Sequence, residues 1–363
     1  MTVNETQHGY LLLADISGYT SYVASTELTH SQDILSELLE LIIERFKPLL
    51  TIAKIEGDAI FAYTPEKKIA RGEAILELIE STYVAFRSRR EAAHRRTTCT
   101  CNACRNIPNL DLKFIEHHGD YFVQDIARTK ELVGSDVNLI HRLLKNHVSE
   151  VKGWRAYALF TEQGLKHLDV HPEGLYQHLE SYEHLGEVCT LSMDLHARYK
   201  EIMDARQVVI TPEEAHSVLE YDYNASPEAV WEWFNDPHKR GQWMTSEIVP
   251  ILRPMGRSGV GGRNHCVHGK NQIIVEDVLD MRPYDYFTVS HAPPGWPTKI
   301  LMTFRFTQTV SDKTHLLLTF KAEIPHTPAW VKKSFCSFIL NMQILKMWKL
   351  DSINDLIAAD VTQ

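Results

Sequence analysis

The stretch Leu11–Tyr22, LLLADISGYTSY, decides the fold of the first half of the chain. An apolar run of strand length ends at Asp15, and Ser17, Gly18 and Thr20 follow it in a turn of small residues. Two interpretations of Asp15 are open. Its side-chain oxygen could cap the next helix. Alternatively, a carboxylate at the end of a strand could hold a metal ion and the phosphates that the ion neutralises.

Outward from this stretch, the chain alternates helix and strand patterns. A helical period runs over 31–46 and again over 71–90, and 50–63 alternates as a hairpin with its turn at Glu56-Gly57-Asp58. After a cysteine-rich segment, 110–127 is typical of a strand pair that turns near His117 and His118, and 134–146 has helical spacing. The pattern predicts an α/β sandwich over residues 1–205.

The pattern of predicted helices and strands changes at about residue 206. Ser226 and Pro227 open a helix in the favoured cap and first-turn positions. Strand-like runs separated by glycine and proline follow, and a long amphipathic segment over 329–358 closes the chain. The pattern predicts a curved antiparallel sheet around a helix over 206–363, so that the whole chain is an α+β protein of two domains.

Composition restricts the classes of function. The 363 residues carry a net charge of −9, which gives no support to a nucleic-acid surface. No apolar run approaches the roughly 20 residues that span a bilayer, and no N-terminal segment resembles a signal peptide. We therefore expect a cytoplasmic protein that binds neither nucleic acid nor membrane.

A partner for Asp15 stands in the predicted hairpin turn, at Asp58. An antiparallel hairpin would carry that turn to the sheet edge where the first strand ends. The two carboxylates could then converge on Mg²⁺ or Mn²⁺. The alternative is that Asp58 only fills a turn, which is a common place for a Gly-Asp pair.

Three stretches, LLLADISGYTSY, AKIEGDAIFAY and ELVGSDVNLIHRLLKN, together resemble the catalytic domain of class III nucleotidyl cyclases over residues 10–195. The resemblance implies a ferredoxin-like sandwich that uses Mg²⁺ or Mn²⁺ to convert a nucleoside triphosphate, with ATP favoured, into a cyclic nucleotide and pyrophosphate. It also implies a homodimer in which each site is shared between two subunits.

The resemblance also implies a role for each matched position. Asp15, Asp58 and the Ile16 carbonyl would bind the metal, and the turn of Ser17, Gly18, Tyr19 and Thr20 would lie against the phosphates. Lys54 and Glu131 would contact the base, Asn138 would orient the ribose, and Arg142 would stabilise the transition state.

Two departures from the family pattern leave alternatives open. Lys54 suits adenine, whereas a glutamate in the position of Glu131 is more usual where guanine is bound. The further phosphate-binding lysine that the family often has near the last strand is replaced by His184. The rival hypothesis is a catalytically inactive cyclase fold that senses a nucleotide or lipid, or serves in dimerisation.

The cysteine-rich insertion over 94–106 contains Cys99, Cys101 and Cys104. Three thiolates could bind a structural zinc ion if a histidine such as His94, His117 or His118 completes the site. The alternative is three reduced thiols in a loop.

The second half resembles the START-like helix-grip superfamily of polyketide cyclases and stress-protein activator homologues, through NASPEAVWEWFNDPHKRGQWM and the closing amphipathic segment. The resemblance implies an apolar cavity for a hydrophobic small molecule that would regulate the first domain. Trp231, Trp243, Trp296 and Trp348 could line it. The alternative is that these tryptophans belong to the core.

Overall fold

The chain forms two compact units, Met1–Ala205 and Arg206–Gln363. The computed structural model describes residues 6–24, 26, 28–96, 101–126, 129–183, 185–205, 207–268, 272–292, 299–309, 313–324, 327–339 and 348–361. Among these, none of the helices combines the length and the apolar content that crossing a membrane would need.

The first unit is built on one mixed sheet of eight strands. Its strands are β1 (Gln7–Ser17), β2 (Thr51–Glu56), β3 (Ala59–Pro65), β4 (Asp111–Ile126), β5 (Thr129–Val133), β6 (Tyr157–Thr161), β7 (Tyr176–Tyr182) and β8 (Gly186–Asp194). They lie in the order β2-β3-β1-β4-β6-β8-β7, with β5 paired to the end of β4, and only β4 and β6 run parallel.

The helices of the first unit lie between these strands in sequence. They are α1 (Tyr19–Ala24), α2 (Leu28–Phe46), α3 (Glu73–Arg96), α4 (Asn102–Asn106), α5 (Ser135–Leu143), α6 (Val148–Lys152), α7 (Glu162–Leu168) and α8 (Leu195–Asp204). Helix α5 covers one face of the sheet, where Val137, Ile140 and Leu143 join the core. On the other face, Phe46 of α2 packs against Phe114 of β4.

Strand β1 lies in the centre of this sheet because its sequence is apolar on both faces. Leu11, Leu12, Leu13 and Ala14 have no exposed surface, and β1 pairs with β3 on one side and β4 on the other. A strand buried on both faces is a continuous apolar run rather than an alternating one. The run therefore ends at Asp15, where the strand reaches the edge of the core.

The predicted hairpin at His117 and His118 is wrong. Both residues lie inside β4, a single strand of 16 residues. Its first part, from Asp111 to Tyr121, pairs with β1, and its end pairs with β5 from Phe122 onward. The strand continues through His117 and His118 because β1 offers it partners along its whole length, which a local sequence pattern does not reveal.

The second unit contains a seven-stranded antiparallel sheet in the order β10-β11-β12-β13-β14-β15-β9. Its strands are β9 (Ser217–Tyr223), β10 (Glu247–Leu252), β11 (Arg263–His268), β12 (Gln272–Arg282), β13 (Tyr286–Ala292), β14 (Lys299–Gln308) and β15 (Thr314–Glu323). Its helices are α9 (Pro227–Asn235), α10 (Pro237–Met244), α11 (Ala329–Ile339) and α12 (Ile353–Val361).

Local sequence sets the start of α9 as predicted. The Ser226 hydroxyl accepts a hydrogen bond from the Ala229 backbone N–H at 3.4 Å, and Pro227 occupies the first turn. The closing segment is helical over α11 and again over α12, and Trp348 and Lys349 before α12 are not helical. The prediction of an α+β protein with an α/β sandwich and an antiparallel helix-grip sheet is confirmed.

Candidate functional site

Asp15 and Asp58 lie near each other where β1 ends and β3 begins. Asp15 stands opposite Ala59 in the pairing of β1 with β3, and Asp58 is the turn residue immediately before β3. The Ile16 backbone N–H donates to the Asp58 carbonyl oxygen at 3.3 Å. The antiparallel hairpin thus brings together two acids that are far apart in sequence.

The electrostatic environment of Asp58 includes the carboxylate of Asp15. Burial and the neighbouring Asp15 charge together raise the pKa of Asp58 to about 6. An acid pair of this kind is a poor structural element, because each charge destabilises the other. A raised carboxyl pKa of this kind is typical of a functional site, such as one that binds a cation.

Sequence reasoning missed Lys113, which lies opposite Asp15 on β4. Its ammonium nitrogen is 3.0 Å from Asp15 Oδ2, and both side chains are largely buried. Burial alone would lower the pKa of Lys113, but Asp15 holds it above its ordinary value. The available signal was a single lysine within the apolar run LDLKFI.

The turn behind Asp15 requires glycine at one position. Gly18 has a φ of +86°, and a Cβ there would lie 2.6 Å from the Asn109 carbonyl oxygen. The Arg155 guanidinium donates to that same oxygen. Ser17, Tyr19 and Thr20 are partly or fully exposed beside it, and α1 begins at Tyr19. Asp15 therefore lies upstream of the helix start and pairs with Lys113 instead of capping α1.

A second set of predicted residues lies on β2 and β5. Lys54 is exposed, and its ammonium nitrogen is 3.0 Å from Glu56 Oε1. Glu56 raises the pKa of Lys54, and Glu131 on β5 adds to that rise. The structure therefore brings Lys54 and Glu131, the two residues predicted to contact the base, near each other within one chain.

Helix α5 presents Asn138 and Arg142 to solvent. Both side chains are exposed because Val137, Ile140 and Leu143 bury the other face of the helix against the sheet. None of the described hydrogen bonds or ion pairs joins Asn138 or Arg142 to the Asp15 and Asp58 carboxylates.

The start of α5 is fixed to β4. Asp136 Oδ2 accepts the Asp120 backbone N–H at 2.7 Å. Gly119 leaves the room for this bond, since a Cβ there would lie 2.4 Å from the same oxygen. The nearby His117 ring and the hydrogen bond from the Asp120 backbone N–H lower the pKa of Asp136. This contact sets where Asn138 and Arg142 emerge from the sheet.

The Asp15 and Asp58 carboxylates fit Mg²⁺ or Mn²⁺ chemically. The donors available there are carboxylate and carbonyl oxygens, the ligands that these hard cations take. A divalent ion would relieve the unfavourable effect of the Asp15 charge on the Asp58 carboxylate. Lys113 supplies a part of that compensation from within the chain.

The cysteine segment is only partly described, because Cys99 lies outside the described residues. Cys101 caps α4, its sulfur accepting from the Cys104 backbone N–H at 3.5 Å. The His94 ring nitrogen lies 3.3 Å from the Cys104 carbonyl oxygen. His117, another ligand that we considered for zinc, instead contacts the Thr161 hydroxyl at 2.8 Å. Zinc binding by these cysteines stays a prediction.

Three of the four tryptophans predicted to line a cavity belong to the packed interior of the second unit. Trp231 and Trp243 are fully buried, and Trp348 packs edge-on against Trp243 at 5.6 Å between ring centroids. The Trp243 indole N–H donates to the Trp233 carbonyl oxygen at 2.7 Å. Trp296 lies outside the described residues.

The second unit also buries a charged network that sequence reasoning missed. Glu276 has no exposed surface and accepts hydrogen bonds from the Arg240 guanidinium at 2.7 and 2.5 Å. The His291 and Asn264 side chains contact the same carboxylate at 2.6 and 2.9 Å. Burial would raise the pKa of Glu276, but Arg240 and His291 hold it well below its usual range.

Comparison with protein families finds a match in each half of the chain. Residues 35–152 match the family described as "Protein of unknown function (DUF2652)". Residues 224–335 match "Activator of Hsp90 ATPase homolog 1-like protein", a START-like family. The START-like resemblance predicted for the second half is therefore confirmed.

A curated relative is the Mycobacterium tuberculosis protein named Uncharacterized protein Rv2561/Rv2562. It is 33% identical over 162 residues, which are 44% of this chain and 73% of that protein. The chain belongs to the same family as this mycobacterial protein.

Solved structures that are similar to the chain include nucleotide cyclases. The adenylyl cyclase CyaB of P. aeruginosa is 18% identical, with 52% of this chain and 96% of that chain covered and a TM-score of 0.40. The guanylyl cyclase Cya2 is 14% identical, with 52% and 92% covered and a TM-score of 0.38. A bacterial light-regulated adenylyl cyclase is 11% identical with a TM-score of 0.40, and the match spans 54% of each chain, about half the length of that cyclase.

Proposed function

We propose that the first unit is a nucleotidyl cyclase, a phosphorus-oxygen lyase that converts a nucleoside triphosphate, preferably ATP, into a 3′,5′-cyclic nucleotide and pyrophosphate. The observation that carries the proposal is the meeting of Asp15 and Asp58 at the end of β1. Lys54 and Glu131 near each other, with Asn138 and Arg142 exposed on one helix, support it.

The metal would be held by Asp15, Asp58 and the Ile16 carbonyl. When bound, Mg²⁺ or Mn²⁺ supplies charge neutralisation at the phosphates and lowers the pKa of the attacking ribose hydroxyl. The backbone after Ser17, shaped by Gly18, lies where the phosphates would approach the end of the strand.

The chain's other residues bind and orient the nucleotide. Lys54 can donate to an acceptor on the base, and Glu131 can accept from a donor. Asn138 orients the ribose so that its 3′ oxygen faces the α-phosphate, and Arg142 binds the charge that develops on that phosphate. Asn138 and Arg142 lie one turn apart on α5, so both can reach a single nucleotide.

A homodimer would unite the two sets of residues. Three apolar side chains beside the set of Lys54 and Glu131 are exposed, namely Ile55 on β2, Phe122 on β4 and Val133 on β5. A second copy that covered them would place its Asp15 and Asp58 opposite Lys54 and Glu131. A hydrophobic ligand of the START-like unit would then regulate the dimer.

Turnover tests the proposal directly. The purified full chain is incubated with ATP, GTP, CTP or UTP and Mn²⁺, and the products are resolved by mass. We expect a cyclic product that is lost in Asp15→Asn and kept in Asp33→Asn, which removes an exposed aspartate of α2. No cyclic product from any nucleotide, with a dimer verified, would refute it.

The Lys113 ion pair favours the rival function, a nucleotide sensor without turnover. An ammonium group 3.0 Å from Asp15 already compensates a carboxylate that catalysis needs for a metal. The sensor hypothesis predicts that ATP raises the melting temperature in EDTA as well as in Mn²⁺. The cyclase hypothesis predicts stabilisation by ATP only with the metal, and a larger effect in Lys113→Met.

A further inference from the structure

We propose that Glu66, His118 and His167 form a binding site for a divalent transition-metal ion of the zinc class, separate from Asp15 and Asp58. Each of the three residues offers one ligand atom, and these atoms all lie within 4.8 Å of one another. Two imidazoles and a carboxylate are a common protein ligand set for Zn²⁺ and related ions.

The distances place the carboxylate between the two rings. Glu66 Oε2 is 3.5 Å from His118 Nε2, and Glu66 Oε1 is 3.3 Å from His167 Nδ1. The two imidazole rings are stacked with their centroids 3.6 Å apart and their planes at 5°. To bind one ion, the two rings would have to rotate out of their parallel stack so that their nitrogens converge on it.

Three separate elements of the fold deliver the ligands. His118 lies on β4 opposite Tyr10 of β1, and Tyr10 lies opposite Thr64 of β3, so Glu66 follows on the same side just after β3 ends. The Tyr10 hydroxyl donates to the His167 carbonyl oxygen at 3.0 Å and so holds the end of α7 over the strands. An ion here would tie β3, β4 and α7 together.

The buried ring of His118 is a second, independent observation that points to a ligand. Its side chain is buried, and neither ring nitrogen has a hydrogen-bond partner among the described residues. A buried polar group without a partner costs about 1–3 kcal/mol. A metal ion bound to one nitrogen would remove that cost.

The proposed site lies on the opposite face of β4 from the catalytic candidates. Successive side chains of a strand alternate between faces, so His118 points away from the side of Lys113. Glu66 also lines an open groove of about 720 Å³ that includes Lys67, Lys68 and Lys130. Three protein ligands leave a fourth position for water.

Metal titration of the full chain tests the proposal. After dialysis against EDTA, Zn²⁺ binding is measured by calorimetry for the wild type, Glu66→Gln and His167→Ala. Both substituted side chains are partly exposed, so folding should be retained. We expect one equivalent of Zn²⁺ to be lost in His167→Ala and to bind more than about tenfold more weakly in Glu66→Gln.

Control variants separate this site from the others. His171→Ala removes an exposed histidine of the same unit and should leave binding unchanged. Asp58→Asn removes a proposed ligand of Mg²⁺ or Mn²⁺ and should also leave the Zn²⁺ equivalent in place. The Co²⁺ form should show ligand-field absorption that disappears in His167→Ala.

Either of two results would overturn the proposal. The first is equal Zn²⁺ stoichiometry and affinity in the wild type, Glu66→Gln and His167→Ala. The second is a Co²⁺ spectrum dominated by thiolate charge transfer and insensitive to His167→Ala, since that would assign the ion to cysteines.

Discussion

Asp58 lies in the turn before β3 and Glu276 lies within β12, yet the surroundings of these two acids move their pKa values in opposite directions. Asp58 lies half-buried with a second carboxylate beside it. Glu276 is fully buried, but the Arg240 guanidinium pairs with it and the His291 ring hydrogen-bonds to it. On the proposed function, Asp58 is an acid that binds an external cation, whereas Glu276 is compensated by groups of the chain itself.

Of the substitutions considered, Asp58→Asn is expected to have the largest effect on turnover. We expect turnover to fall by at least about 10³-fold, since the variant removes a ligand of the metal that the proposed function requires. The free energy of unfolding at neutral pH should stay the same or rise, because the substitution removes a charge that Asp15 repels. Product formation and urea unfolding measure the two effects, and a large loss of stability would make Asp58 a structural residue instead.

Arg240→Met, in the second unit, should instead lower the free energy of unfolding. Removing the partner of the buried Glu276 carboxylate is expected to cost about 3–5 kcal/mol of unfolding free energy. Tryptophan fluorescence reports this unit, because only Trp154 of the 7 tryptophans precedes residue 206.

The neighbouring cation supplies the control for that measurement. Lys239 pairs with Asp360 at 2.6 Å near the surface, so Lys239→Met should cost less than about 1 kcal/mol. Equal losses in Lys239→Met and Arg240→Met would contradict the assignment of Glu276 as a satisfied buried charge.

The pH dependence of the unfolding free energy also distinguishes Glu276 from Asp58. Because the pKa of Glu276 is held well below its usual range in the folded state, its stabilising contribution is complete above the unfolded-state pKa of about 4.3. That contribution is lost as pH falls below this value. Unfolding followed by fluorescence from pH 7 to pH 3 should show this loss, and Glu276→Gln should remove that part of the slope.

Lys54→Gln should give the smallest change in stability. Lys54 and Glu56 form an exposed pair, so the unfolding free energy should change by less than about 0.5 kcal/mol. The KM for ATP should nevertheless rise, because the side chain is assigned to the base. An unchanged KM for ATP and GTP together would remove Lys54 from the site.

The elements that the sequence predicted well are those whose residues act locally. The buried run before Asp15, the hairpin turn at Asp58 and the Ser226-Pro227 helix start all depend on neighbours in sequence. The prediction was wrong at His117 and His118, where a strand continues because β1 pairs with it. Lys113, Glu66 and His167 were missed because no local pattern marks them.

The α+β class, the architecture of each unit and the pairing of Asp15 with Asp58 could be predicted from the sequence, because apolar periodicity and turn residues are local properties. Tertiary structure alone decided that Lys113 faces Asp15, that Glu276 is neutralised by Arg240 and that His118 lies beside Glu66 and His167. The physical reason is that the energy of a charge depends on every group near it in space. Strand register and helix docking bring those groups together from distant parts of the chain.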